Sequence, residues 1–193
     1  MNWLLALGLG YALGSVPFGL ILTRASGAGD LRSIGSGNIG ATNVLRTGRK
    51  GLAASTLLLD GAKGFLAVWL AWRWFPEWAA LAGAGALLGH CFPVWLKFKG
   101  GKGVATLMGA SLGLAWPIGA VYAAVWLGML ALTRISSLAG MSAAISAPLA
   151  ALALGQREMA VVLALLAAMV LFLHRANIAR LRAGTEPKVG SPK

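Results

Sequence analysis

The sequence predicts an all-α polytopic integral membrane protein, and three observations carry that reading. The 193 residues are 58% hydrophobic and only 11% charged, less than half the charged share of an ordinary soluble domain. Uncharged runs such as Val104 to Thr133 reach the roughly 20 residues that a helix needs to cross a bilayer. The 17 Lys and Arg against 5 Asp and Glu give a net charge of +12, gathered into a few short polar segments between those runs. A soluble globule is thereby excluded. Nucleic acid is excluded as a partner too, because its binders hold their charge on a soluble fold. Cys91 is the single cysteine, so there is no internal disulfide framework and no cysteine-rich zinc site.

The elements follow in chain order. Trp3 to Thr23 has no positively charged leader and is followed by basic residues, so it reads as a retained first span rather than a signal peptide. Leu52 to Phe75 and Trp78 to Leu96 are the second and third spans. Val104 to Thr133 breaks at Trp116-Pro117, where proline removes a helical donor. Its first part, the fourth helix, is only about 18 Å long at 1.5 Å per residue, short for a hydrocarbon core near ~30 Å, and could begin in the preceding glycine loop. Leu138 to Leu154 and Met159 to Leu173 are separated at Gln156 to Glu158, because a continuous helix would bury Arg157 and Glu158 mid-bilayer at roughly 2.5 to 3.5 kcal/mol per charge. Seven crossings result, with five as the alternative if both long runs stay unbroken.

Fourteen of the 17 basic residues fall within Arg24 to Lys50, Lys97 to Lys102, Arg134, and Arg175 to the end. The positive-inside bias puts these in the cytoplasm, with the amino terminus outside and the carboxyl terminus cytoplasmic. Trp3, Trp72, Trp74, Trp78 and Trp116 then mark outer boundaries and Trp95 an inner one, while Trp69 and Trp126 fall within spans as packing residues. Residues 1–193 read as a single membrane-embedded domain.

Three polar segments share the predicted cytoplasmic face. The 27-residue connection from Arg24 to Lys50 is longer than a helical hairpin needs, and long structured loops carry function. Its glycines free the backbone to approach a ligand, and Ser36, Asn38, Thr42, Asn43 and Arg46 add donors that suit phosphate. Gly35, Gly37 and Gly40 also satisfy the dinucleotide GxGxxG pattern with Asp60 about 20 residues on, but no strand precedes them and Asp60 lies in a span. The second segment, Lys97 to Gly103, opens the next helix and joins free amides, a positive helix end and lysines in one phosphate seat. It lacks the first glycine and the final hydroxyl residue of a Walker A loop. The third, His174 to Arg182, continues the last span, with His174, Asn177, Ile178 and Leu181 on one face and Gly184 as terminator.

With Ser36-Gly37-Asn38-Ile39-Gly40-Ala41-Thr42-Asn43, Lys99-Gly100-Gly101-Lys102-Gly103-Val104-Ala105-Thr106 and His174-Arg175-Ala176-Asn177-Ile178 in that order, the chain resembles the bacterial membrane acyl-phosphate:glycerol-3-phosphate acyltransferases over nearly its whole length. The resemblance implies transfer of a fatty acyl group from acyl phosphate to the 1-hydroxyl of glycerol 3-phosphate, giving lysophosphatidic acid and inorganic phosphate, the first acylation of bacterial phospholipid synthesis. It also implies a site facing the cytoplasm from the inner membrane, contact with membrane lipids, no metal, no cofactor, and independence from acyl-CoA and acyl carrier protein. The soluble enzyme that makes acyl phosphate is a candidate partner. By resemblance, Arg46, Lys102, His174 and Asn177 hold glycerol 3-phosphate and Ser36 orients the reacting centre. Gly100, Gly101 and Gly103, through their amides, and Asn38 and Thr42 are candidates for phosphate oxygens. Acyl phosphate is already activated, so orientation and charge stabilisation suffice. Whether Ser36 instead carries the acyl group, and whether His174 or the acceptor's phosphate takes the hydroxyl proton, the residues leave open.

Asp60 and Lys63, at i and i+3, read as a brace beneath the first motif loop, with site shaping as the alternative. His90 reads as an interhelical hydrogen-bonding residue and Cys91 as packing; with His174 they lack a further ligand for metal. Ser136 and Ser137 are expected to cap the sixth helix, although Ser137 could also meet the donor phosphate. Glu186 is expected to tie back to a motif arginine. A transporter or channel for phosphate-type anions is the competing function, but a pore would line its midplane with charge; a noncatalytic lipid-binding scaffold is the third.

Overall fold

The computed structural model describes residues 1–190, so Lys193, counted above among the cytoplasmic basic residues, lies outside the described residues. Every regular element among them is helical: α1 (Asn2–Gly14), α2 (Phe18–Ala25), α3 (Ala41–Leu45), α4 (Lys50–Trp74), α5 (Ala79–Cys91), α6 (Val104–Leu114), α7 (Trp116–Thr133), α8 (Ser136–Ala153), α9 (Arg157–Leu173) and α10 (Arg175–Arg182). Among the described residues, five helical stretches are long and apolar enough to cross a membrane: Asn2–Ala25, Lys50–Trp74, Pro76–Leu96, Trp116–Thr133 and Ser136–Ala153. Helix α9 is 17 residues long and α6 only 11.

Both expected breaks are helix boundaries. Ala115 is extended between α6 and α7, with Pro117 in the first turn of α7, where its missing N–H costs nothing. Gly155, at φ +73°, ends the α8 side of the second break. Neither long helix of the five-crossing alternative forms. The first span is present as Asn2–Ala25, interrupted at Ser15-Val16-Pro17, because proline has no N–H to continue the ladder. Two expectations need correction. Helix α6 does not start within the glycine loop; Gly103 at φ +81° holds the loop out of the helix. The last span does not run straight into the third segment but turns by 61° at His174, where the Val170 carbonyl is shared between the backbone N–H and the ring Nδ1 of His174.

The chain forms two compact units, Met1–Leu114 and Ala115–Lys193. In the first, α1 packs on α5 and α4 on α6, through glycines four residues apart. A Cβ at Gly10 or Gly14 would run into the carbonyl oxygens of Ala82 or Ala86, and one at Gly85 or Gly89 into those of Leu7 or Tyr11. Gly64 and Gly109 make the same backbone approach between α4 and α6. In lipid, where tails are as apolar as side chains, such small-residue contact drives helix pairing. The second unit packs α8 between α7 and α9.

Large apolar residues point outward, among them Leu58, Phe65, Leu127, Leu132, Leu149, Val161, Leu165 and Phe172, while Thr56, Asp60, Lys63, His90, Thr106 and Ser111 are buried. That inversion of a soluble protein's pattern is what a hydrocarbon surround requires. Trp69 belongs to the outward set at 47% exposure, not to the core as expected from its place within a span.

Candidate active site

The site residues of the first unit sit on two loops. The first loop turns at Gly27 and Gly29, runs through a 3-10 turn at Leu31–Ser33, and turns again at Gly35 and Gly37, all four glycines having positive φ. Its entrance is clamped by Asp30, which accepts from the backbone N–H of Arg32 at 3.0 Å and from its guanidinium at 2.7 Å. The side-chain bond from Arg32, then that backbone bond, hold the Asp30 carboxyl well below the usual carboxylate range. Leu20, Leu31, Ile39, Val44 and Ala53 pack beneath the loop, and the Ile39 carbonyl lies directly on Gly19 of α2.

Asn43 organises the loop. Its buried Nδ2 donates to the carbonyls of Leu31, Ile34 and Asn38 at 2.8 to 2.9 Å, and its Oδ1 accepts from the Ser36 N–H at 3.2 Å. Asn43 is therefore not a phosphate donor, as expected above, but the post around which the phosphate-facing residues are hung. Asn38 turns the chain by accepting from the Gly40 N–H at 2.8 Å. Ser36, Thr42 and Arg46 are exposed. The Arg46 side chain lies over Gly35, whose added Cβ would stand 2.7 Å from Arg46 Cδ, so Arg46 and Ser36 are immediate neighbours. Among the described residues Arg46 makes no ion pair, leaving its charge for an anion.

The second loop folds back on the end of α5. Lys97 and Phe98 are both left-handed, at φ 52° and 60°, and the N–H groups of Gly100 and Gly101 donate to the carbonyls of Cys91 and His90 at 3.0 Å each. This corrects the expectation for those two amides: they satisfy the carboxyl end of α5 rather than face phosphate. Their glycine identity has a second cause, since a Cβ at Gly100 would strike the His90 carbonyl and one at Gly101 the His90 imidazole Nε2. Gly103, also at positive φ, sits on Leu87 and Cys91. Lys97 and Lys99 are exposed and Lys102 half-buried on the resulting turn. Tyr11 bridges α1 to this region, donating to the Phe92 carbonyl at 2.8 Å and accepting from the Val94 N–H at 3.0 Å.

Beneath the second loop lie three buried ionisable groups. Lys63 Nζ is 2.7 Å from Asp60 Oδ1 and donates to the Val16 carbonyl at 2.8 Å, and His90 Nδ1 is 3.6 Å from the same Asp60 oxygen. The brace expected from Asp60 and Lys63 is thus present, but it reaches the α1–α2 break and His90 rather than the first loop directly.

In the second unit, His174 and Asn177 are buried on α10 or its first turn. His174 Nδ1 lies 2.8 Å from the Val170 carbonyl. A carbonyl only accepts, so Nδ1 is the donor in this contact. Ser137 does not cap α8; Ile135 holds the cap position without a side-chain bond, and Ser137 Oγ donates to Glu186 Oε1 at 2.6 Å. Asn177 Nδ2 donates to the same oxygen at 2.6 Å and Arg180 Nε to Oε2 at 2.7 Å. Glu186 ties back to Arg180, an arginine of the third segment beyond the motif itself, and also holds Asn177 and Ser137, a hub that spacing gave no means of finding. Partial burial works against its charge, but the bonds from Ser137, Asn177 and Arg180 outweigh this and hold the carboxyl below its ordinary range.

These features define a class: an integral membrane protein of packed helices whose glycine-built loops carry arginine and lysine suited to phosphorylated ligands. Comparison narrows it. The family model for glycerol-3-phosphate acyltransferase matches residues 4–184. Similar proteins include the glycerol-3-phosphate acyltransferases of Novosphingobium aromaticivorans, 72% identical over 98% of this chain and 96% of that one, and of Erythrobacter litoralis, 62% identical over 95% and 93%. Among solved structures, PlsY (YgiH), an integral membrane glycerol 3-phosphate acyltransferase, is similar in its glycerol 3-phosphate form with a TM-score of 0.90 and 36% identity, covering 98% of this chain and 96% of that one. Its lysophosphatidic acid form gives the same TM-score at 34% identity. The chain belongs to the glycerol-3-phosphate acyltransferase family.

Proposed function

We propose that this protein transfers the acyl group of an acyl phosphate to the 1-hydroxyl of glycerol 3-phosphate, forming lysophosphatidic acid and inorganic phosphate at the cytoplasmic face of the bacterial inner membrane. The observation that carries the proposal is a family match across 4–184 that takes in all three cationic segments. In the reaction the acceptor hydroxyl oxygen bonds the acyl carbon, the carbon–oxygen bond to phosphate breaks, and the hydroxyl proton is lost. Arg46, Lys102, His174 and Asn177 hold glycerol 3-phosphate, while Ser36 donates to and orients the reacting centre. Asn38, Thr42, Ser137 and the glycine loop at Gly100, Gly101 and Gly103 shape the phosphate-binding surroundings. The proton passes to His174 or to the acceptor's own phosphate. The seven helical segments α1–α2, α4, α5, α6, α7, α8 and α9 are assigned as crossings, with the amino terminus outside, and residues 1–193 act as one catalytic domain. No cofactor enters the step.

Purified protein in lipid, supplied with acyl phosphate and glycerol 3-phosphate alone, is expected to yield lysophosphatidic acid and phosphate without coenzyme A or carrier protein; absence of product sinks the proposal. Arg46→Ala and Lys102→Ala are expected to raise KM for glycerol 3-phosphate at least about tenfold, the loss of one charge-assisted contact. Ser36→Ala should chiefly lower kcat. Equal and negligible effects of all three would overturn the role assignments.

A further inference from the structure

Asp60, Lys63 and His90 are buried among apolar helices, and of the three it is His90 that meets residues assigned to substrate, through its carbonyl and ring against Gly100 and Gly101. A buried ion pair is a weak source of stability, since apolar side chains of equal volume serve as well or better. Helix α4 is moreover already held to α6, and α5 to α1, by backbone-close glycine contacts. What distinguishes the cluster is where its ends attach. At one end Lys63 Nζ holds the Val16 carbonyl at the α1–α2 break, and α2, which starts two residues later, carries the first loop through the contact of Gly19 with the Ile39 carbonyl. At the other end His90 meets the second loop twice, through its ring against the Gly101 Cα and through its carbonyl on the Gly101 N–H. Asp60 joins the two ends, 2.7 Å from Lys63 and 3.6 Å from His90.

We propose that Asp60, Lys63 and His90 are positioning residues that set the spacing between the Ser36–Arg46 loop and the Lys97–Gly103 loop, and thereby the fit of the acceptor's phosphate group. The proposal rests on the assignment of Arg46 and Lys102 to glycerol 3-phosphate. Charge-directed geometry, rather than packing volume, is the property the cluster supplies, because a lysine with a carbonyl and a carboxylate as partners has fixed directions that a methionine does not.

The test compares the full-length protein with Asp60→Asn, with the double variant Asp60→Asn/Lys63→Met, with His90→Gln and with Arg46→Ala, all in lipid nanodiscs. Asp60→Asn leaves Lys63 uncompensated and is expected to lower the melting temperature. The double variant removes both charges at similar volume and is expected to melt with the parent, yet to show KM for glycerol 3-phosphate raised about tenfold, with kcat and KM for acyl phosphate changed by less than about twofold. His90→Gln should show the same split and carries the test if the double variant does not fold. A parental KM in the folded variant, or losses in both KM values that simply track melting temperature, overturns the proposal. An unchanged KM in Arg46→Ala overturns the pocket assignment itself, separating the two failures.

Discussion

Asn43 illustrates how one side chain can hold a reactive loop in shape without meeting its ligand. Three carbonyls depend on its amide and the Ser36 N–H depends on its oxygen, and a buried polar group left without a partner costs about 1–3 kcal/mol. Asn43→Ala is therefore expected to destabilise the protein by about 2–3 kcal/mol and to lower kcat together with the affinity for glycerol 3-phosphate, read by thermal melts and steady-state kinetics; parental kinetics would refute the role. Glu186 makes a pH-dependent prediction. Its carboxyl titrates below the ordinary value when folded, so its contribution is in full force above the unfolded glutamate pKa of about 4.3 and is lost as pH falls through the folded value. Glu186→Gln should accordingly melt lower than the parent at pH 7, with the gap closing on acidification below about pH 4. A gap that stays constant with pH would show that the hydrogen bonds matter and the charge does not.

At the scale of elements, pairing between helices is written in glycine. Gly10 and Gly14 let α1 lie on the backbone of α5, whereas Gly8, on the same helix, has nothing within 4 Å of where a Cβ would stand. Gly14→Val is expected to prevent accumulation of folded protein. Gly8→Ala should be tolerated, with a gain of up to about 1 kcal/mol from helix propensity. Detergent-solubilised yield and melting temperature distinguish the two, and equal behaviour would mean that the contact is not what joins the helices. This spacing was visible in the sequence but carried no pairing information by itself, because a glycine four residues from another specifies a partner only once the facing backbone is known. The positions of helix ends were more legible: proline at 117 acts locally through a missing donor, and Arg157 and Glu158 mark the second break through the cost of charge in mid-bilayer. The break at Ser15-Val16-Pro17 lies inside an apolar stretch that hydropathy reads as continuous, and the bend at His174 lies where a helical pattern runs on unbroken from the last span into the basic segment.

For the molecule as a whole, composition and charge placement sufficed to predict a helical membrane protein, and three short motifs sufficed for its family. What they could not supply is the division of labour inside the motifs. Gly100 and Gly101 read as ligands for phosphate and instead seal the end of α5; Asn43 reads as a donor to substrate and instead supports the loop; Ser137 reads as a cap and instead binds Glu186. In each case long-range contact chose among roles that one side chain can equally fill. The proposed topology makes its own prediction: in a Cys91→Ser background, a cysteine at Ser33 or Thr185 should react with an impermeant maleimide only from the cytoplasmic side, and one at Glu77 only from outside. Reaction of Ser33→Cys or Thr185→Cys from outside would break the assignment. Finally, the turn at Lys97 and Phe98 places two bulky residues in a region where each non-glycine residue costs about 1–2 kcal/mol. A glycine at either position should make the protein hardier to heat while letting the neighbouring lysines wander, so an engineer seeking durability here would meet a direct trade against affinity for the acceptor.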